Sequence, residues 1–560
     1  MRRIMKPTKP AEASAAEPAA VYAPGVRAAT RYQQQLIERI IAHRAEIALV
    51  LALTALAAGL RLWRLDTVPL GLHGDEAWTG LDARRVLREG WIGPYVQSAL
   101  GQPTGPLYFT ALLFSFLPDT TFTLRLSMAL FGIATIPLAY FAFRSMFNAT
   151  AAAFAALLLS VMTWHLQLTR TAFMVGSWPF IEMAVMWALF AGVRRRNPAL
   201  MALAGALTGL GVYTYNAYAL FVPVAVVAFI WAIARAGEPG ARRRVLLGTG
   251  GAIIAAVVIA LPMLSYISGH YDQYRSHQQD LSVTQSAAWQ QAGITGKADI
   301  LRHRFDEWAF ALGRGDRPDL GDALAARGQP VVQPIILALA VAGLCMALWR
   351  LRETAYATVI AAVIVMPIGA LATTGDGLFR RTFGLAPFIA LLAALPLAWV
   401  WQRAVASRDR MALLGAAVIL VLVALPAALG TYRYFGPAQH TYAVTFTFPY
   451  QEDAAAHYVA SLPPGTQVYY YSDRWAFNYE TMRFIAPDAT GTDRSREYGI
   501  VTPGEPLDFS APEGKPVAFV FLGAYLGDIQ SAVEQHPGGT ETEGHHGDET
   551  TFRAYVLPAS

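Results

Sequence analysis

The sequence predicts a polytopic α-helical membrane protein that carries a small soluble α/β domain at its C-terminal end. Three observations predict it. Apolar residues make up 55% of the 560-residue chain and charged residues only 15%, where a soluble chain has roughly a quarter charged, and the mean hydropathy is +0.36. The apolar excess is gathered into blocks of about 16–26 residues, close to the roughly 20 that one helix needs to cross a bilayer. After about residue 431 these blocks stop, and short strand-like and helix-like runs separated by Pro/Gly turns replace them. A string of soluble domains is excluded, because too little polar surface remains to solvate it.

Residues 1–44 are a basic, Ala/Pro-rich tail that cannot pack a core. It is too long and too polar ahead of the first apolar run to be a cleaved signal peptide, so the block at 46–64 is expected to be an uncleaved anchor. Further blocks follow at 122–147, 149–168, 172–193, 199–214, 216–235, 245–266, 331–349, 355–373, 383–401 and 411–430. The run 106–118 is short and closed by Pro at both ends. The Arg clusters at 194–196, 242–244, 350/352 and 403/408/410 share the side of the basic tail only if 106–118 does not cross. It is therefore expected to be interfacial or re-entrant, giving about eleven transmembrane helices.

The domains predicted are thus 1–44, a cytoplasmic tail; 45–430, the transmembrane domain with outer loops 65–121 and 267–330; and 431–560, an extracytoplasmic α/β domain. A multi-pass protein of the cytoplasmic membrane with its N-terminus inside is therefore expected. In the last domain QVYYYS, PVAFVFLG and FRAYVLP read as strands, and EDAAAHYVASL and LGDIQSAVEQH as helices.

The basic set is almost all Arg, with Lys only at Lys6, Lys9, Lys297 and Lys515, so position decides which Arg matters. The lone Cys345 excludes a disulfide framework and a thiolate metal cluster. The densest polar constellation is His73-Gly74-Asp75-Glu76 after the first span, followed by AWTGLDARRVLREGW, an amphipathic pattern suited to a helix in the interface. Asp75 and Glu76 admit two readings: a helix cap with dipole complement, or an acidic pair that does chemistry. His73 is a candidate ligand or a solvated loop residue. Glu182, inside a predicted span, is either a functional carboxylate or a polar partner for a neighbouring helix.

The stretches GLHGDEAWTG, GQPTGPLYFTALLFSFL and TFTLRLSMALFGIATIPLAYFAFRSMF, in this order after a first span, resemble the GT-C membrane glycosyltransferases. The branch they resemble holds the protein O-mannosyltransferases and the lipid A aminoarabinose transferase, and the likeness runs from about residue 46 to 430. It implies that Asp75 is the catalytic base, assisted by Glu76, and that the donor is a polyprenyl-phosphate sugar. An inverting transfer needs a carboxylate to accept the acceptor hydroxyl's proton, and a lipid phosphate leaves without a general acid.

Fixed positive charge is then needed at the phosphate. Arg380 and Arg381, ahead of a Pro-containing helix as in the family, are the first choice for that clamp, followed by Arg275 and then by Arg125 and Arg170. Gln102-Pro103 stands where many relatives carry Lys-Pro, which removes one phosphate contact. His73, Gln102, Tyr215, Asn216 and Glu182 are candidate substrate contacts.

No cofactor is certain. A divalent metal ion stays open, with Glu76 and His277 as candidate ligands, because TRTAFMVGSWPF lacks the second carboxylate that the family often carries there. His303, Asp306 and Glu307, at i, i+3 and i+4, fit an amphipathic interfacial helix. The chain contains no P-loop, dinucleotide fingerprint or HExxH, so the reaction must draw on a pre-activated substrate. The expected partners are the polyprenyl-phosphate donor, an acceptor protein, glycolipid or polysaccharide, and the bilayer, with no nucleic acid. The alternative is a transporter or flippase of lipid-linked sugars, which predicts broken helices in two related halves.

Overall fold

The computed structural model describes residues 43–314, 330–375, 377–407, 410–497 and 506–559. It divides into a unit Met1–Leu51, of which only the start of the first helix is described, and a unit Ala52–Ser560. His277 lies in the helix Tyr271–Asp280, but its side chain is outside the described residues.

The membrane part is helical apart from one short antiparallel strand pair, β1 (Tyr95–Val96) and β2 (Gln102–Pro103), in the loop 65–121. Among the described residues, eight helices are long and apolar enough to cross a bilayer: Arg44–Leu62, Thr121–Met146, Met174–Arg195, Asn216–Arg235, Pro239–Gly269, Thr354–Leu371, Leu385–Ala406 and Ala412–His440. The other three expected spans are shorter apolar helices, Ala149–Val161, Pro198–Gly211 and Pro334–Trp349. The run expected not to cross is the 10-residue helix Gly105–Phe114.

The expected span 149–168 is broken at Met162, whose backbone is extended, before resuming as Thr163–Leu168. A break at membrane depth frees backbone groups that lipid cannot satisfy. Here Gln333 satisfies them, donating to the Val161 carbonyl (2.9 Å) and accepting from the Thr163 N–H (3.4 Å).

Small residues allow close helix contact. Gly205 and Gly209 of Pro198–Gly211, one turn apart, face Ala252 and Ala256 of Pro239–Gly269. A Cβ at either glycine would fall within 2.4 Å of the facing backbone. Close backbone approach of this kind holds helices together where lipid offers no hydrophobic drive.

The C-terminal domain is a five-stranded sheet in the order β4-β3-β5-β7-β6: β3 is Gln467–Tyr471, β4 Thr490–Asp493, β5 Val517–Phe521, β6 Thr540–His546 and β7 Glu549–Leu557. β3, β4 and β5 run parallel, and β6 and β7 form an antiparallel hairpin at the edge. Alternation along β3 sends Val468 and Tyr470 to one face, against Ala455, Val459 and Met482, and Tyr469 and Tyr471 to the other, against Phe509 and Ile529. Both faces are thus buried, as a mostly parallel sheet requires.

Candidate active site

The acidic pair enters the fold through a helix cap. His73 has extended backbone, its Nδ1 accepts the Asp75 N–H at 2.9 Å, and Glu76 reaches back to accept the His73 N–H at 3.1 Å. This is a capping box with histidine in the place of serine. It starts the helix Gly74–Glu89, and adjacent residues on a helix point about 100° apart. Asp75 and Glu76 therefore face different surroundings.

Glu76 is fully buried. It pairs with Arg125 (Nε–Oε1 3.0 Å) and accepts the Ala172 N–H (2.8 Å). Arg125, equally buried, spends its remaining donors on the carbonyls of Leu65, Asp66, Pro69 and Gly71. The pair ties the loop 65–121 to the helix Thr121–Met146. Glu76 is therefore a structural anchor that does not reach the cavity, which corrects its expected parts as catalytic partner and metal ligand. Arg125 is spent in the same way, and Arg170 donates to the Leu60, Arg61, Arg64 and Val68 carbonyls.

Asp75 lines a cavity of about 280 Å³ together with Gln102, Tyr215, Asn216, Arg380 and Arg381. Arg380 Nη1 lies 2.9 Å from Asp75 Oδ2, with side chains 19% and 40% exposed, and its guanidinium stands 4.8 Å from the centre of the Phe173 ring. Arg381 is fixed by Thr373 Oγ1 (3.0 Å) and the Thr374 carbonyl (3.1 Å). Both arginines belong to the short helix Leu378–Arg381, which Gly377 opens in the left-handed region with φ +87°. Asn216 donates to the Gly101 carbonyl (3.1 Å), which holds the strand carrying Gln102.

A second cavity of about 410 Å³ shares Tyr215, Asn216, Leu281 and Arg381 with the first and takes in Arg275. Arg275 is hydrogen-bonded to the Tyr271 hydroxyl and lies over its ring. The structure thus brings Asp75, Arg380, Arg381, Gln102, Tyr215 and Asn216 into one cavity and sets Arg275 in the adjoining one.

It does not bring in His73, which caps the helix and packs against Phe173 and Phe448, nor Glu182. The latter is fully buried beside Trp178 and Gly384, lines neither cavity, and has no hydrogen-bond partner among the described residues. Its expected substrate contact is therefore corrected. Arg302–Asp306 and His303–Glu307 are exposed i, i+4 pairs on the helix Ile294–Arg314.

Among the described residues, no three His, Cys, Asp or Glu side chains converge as a metal ion needs, and the oxygens of Glu76 are already engaged. The described residues do not fit a divalent ion.

Sequence reasoning missed the part played by the C-terminal domain. Thr481 Oγ1 donates to the Leu72 carbonyl (2.9 Å), and Asp453 Oδ1 accepts the Leu72 N–H (3.2 Å). Phe484 packs with Leu72, Ala77, Ala83 and Phe114. The Tyr479 hydroxyl sits over Gly74, where a Cβ would meet it at 2.6 Å, with Glu480 beside it. Burial, and then the Glu480 and Asp75 carboxylates, hold the Tyr479 phenol above its usual value and so protonated. The only trace in the sequence is the glycine excess of GLHGDEAWTG: Gly71, Gly74 and Gly80 each lie where this domain leaves no room for a side chain.

Residues 101–266 match the dolichyl-phosphate-mannose-protein mannosyltransferase family. The fold is similar to that of the oligosaccharyltransferase AglB from Archaeoglobus fulgidus, in complex with an inhibitory peptide and a dolichol-phosphate (TM-score 0.52, 14% identity, 80% of this chain). The chain spans 64% of that protein's length. It is also similar to ArnT from Cupriavidus metallidurans, both bound to undecaprenyl phosphate (TM-score 0.53, 16% identity, 90% of this chain and 97% of that one) and in the apo state (TM-score 0.51, 15% identity). A search of curated protein sequences gives no match. The chain is a GT-C-fold membrane protein, and within that fold residues 101–266 carry its match to the mannosyltransferase family.

Proposed function

We propose that the protein is an inverting glycosyltransferase that moves a sugar from a polyprenyl-phosphate donor to an acceptor hydroxyl on the outer face of the cytoplasmic membrane. The observation that carries this reading is one carboxylate, Asp75, sharing a cavity with two fixed guanidinium groups, Arg380 and Arg381. The lipid phosphates bound to AglB and ArnT support a donor of this class.

In the proposed step the acceptor oxygen attacks the anomeric carbon from the side opposite the phosphate. A carbon–oxygen bond forms as the bond to the phosphate oxygen breaks, and the electron pair leaves on the lipid phosphate. Asp75 takes the hydroxyl proton, a contribution of about 10²–10⁴-fold for a well-placed base. Arg380 and Arg381 take the phosphate charge, and Arg275 in the adjoining cavity holds the donor further along. In the free protein Arg380 neutralises Asp75. A donor phosphate competes for Arg380 and releases the carboxylate to act, so donor precedes acceptor. Glu76 serves this chemistry at one remove, by fixing the turn that aims Asp75.

The test is to incubate purified protein with a panel of polyprenyl-phosphate sugars and to read the anomeric configuration of the product by NMR. Turnover with inverted configuration is expected; retention at the anomeric carbon, or vectorial lipid movement without sugar release, contradicts the proposal.

A further inference from the structure

A cleft of about 670 Å³ lies between the segment that follows the last long helix and the tip of the β6–β7 hairpin, with Leu70 of the first outer loop in its wall. Its lining joins flat apolar faces to planar polar groups: Tyr442, Tyr450 and Arg474 on one side, His546, Asp548 and Glu549 on the other. The polar groups are held in place. Both the Tyr450 hydroxyl and the Gln451 amide (2.9 Å) donate to the Glu549 carboxylate, and the Arg474 guanidinium lies 3.3 Å from the centre of the Phe446 ring. The Tyr442 ring is left 70% exposed, with Phe446 at 5.4 Å.

We propose that this cleft is a subsite for an uncharged oligosaccharide segment of the acceptor. The inference rests on the transferase reading and names the chemical class of its acceptor. Sugar rings present apolar C–H faces that stack on exposed aromatic rings and vicinal hydroxyls that pair with planar carboxylate, amide and guanidinium groups, and the cleft supplies both. Two carboxylates against one guanidinium make it a poor site for a phosphate. A peptide strand is disfavoured at the neighbouring sheet edge, because β6 carries Glu541 and Glu543 and a bulge at Gly544/His545, devices that block strand addition.

The location suits an acceptor. Leu70 is five residues before Asp75, which bounds their separation at about 18 Å. Phe448, between the cleft residues Phe446 and Tyr450, packs on His73. The loop 70–75 thus has the donor cavity at one end and this cleft at the other.

The test is saturation-transfer NMR on the full-length protein in detergent with mannan, galactan and arabinan oligosaccharides, together with transfer kinetics. Binding of at least one of these sugars is expected. Tyr442→Ala and Asp548→Asn are expected to weaken that binding and raise the KM for the saccharide acceptor about tenfold or more, a loss of roughly 1.4 kcal/mol. Hydrolysis of the donor without acceptor is expected to stay unchanged in both variants, and Asp75→Asn to keep the saccharide binding. No binding by any of the three sugar classes, binding that both variants leave intact, or a KM effect confined to a peptide acceptor overturns the subsite. Saccharide binding that the variants abolish, in a protein that turns over no donor, upholds the subsite and sinks the transferase reading alone.

Discussion

Asp75 and Glu76 are neighbours of the same chemical type with opposite fates, and the helical step between them is the reason. Glu76 turns inward to a bidentate ion pair with Arg125, whose remaining donors hold four carbonyls of the loop 65–121. Removing one partner of a buried pair leaves a buried charge uncompensated and costs about 3–5 kcal/mol. Arg125→Met is therefore expected to lower the melting temperature sharply. Arg125→Lys recovers little of it, since one ammonium cannot serve a carboxylate fork and four carbonyls at once; thermal denaturation in detergent checks both. Arg380 works at the cavity surface instead. Arg380→Ala is expected to leave the melting temperature nearly unchanged while raising the KM for the donor, which initial-rate kinetics over a donor titration measures.

The helix Gly74–Glu89 is the element on which the site depends, and it is gripped from outside the membrane domain. Gly80 lies where a Cβ would meet the Phe484 ring at 2.3 Å. Gly80→Ala is expected to push the C-terminal domain off this helix and expose the chain around Thr481 to protease, and adding Phe484→Ala is expected to restore protection. Limited proteolysis of the single and double variants decides it.

At this scale much of the fold was legible. All eleven apolar blocks appear as helices, and the QVYYYS, PVAFVFLG and FRAYVLP runs are strands β3, β5 and β7, because lipid thickness and period-two alternation leave plain marks in a sequence. The break at Met162 was not legible. Its backbone groups are satisfied by Gln333, about 170 residues away, and no local pattern announces a partner at that distance.

For the whole molecule, the cavity was legible only in its pieces. Asp75, Gln102, Tyr215, Asn216, Arg380 and Arg381 were each marked by residue type and by position next to a span end, and the bundle carries them together. What sequence could not provide was which surface each side chain faces, hence the misreading of Glu76 and Glu182, or that a domain beginning near residue 431 covers the N-terminal turn of the helix Gly74–Glu89.

That domain also carries a pH response. Glu452 is fully buried, burial pushes its carboxyl up to about 8, and the Tyr470 hydroxyl donates to it. A carboxyl whose pKa is raised by folding stabilises the fold fully below its unfolded value and loses that contribution as pH rises through the folded one. Stability of the C-terminal domain is therefore expected to decline between about pH 4.5 and about pH 8. Glu452→Gln is expected to flatten that decline, seen as a higher melting temperature than the parent at about pH 9 but not at about pH 5.

The central claim is that Asp75 takes the proton while Arg380 changes partner from Asp75 to the donor phosphate. Single-turnover transfer from a polyprenyl-phosphate sugar, measured alongside donor binding in Asp75→Asn, tests it most directly. The account predicts transfer slowed by about 10²–10⁴-fold with donor binding equal to or tighter than in the parent, since the substitution frees Arg380. Transfer at the parent rate, or donor binding lost together with transfer, contradicts it.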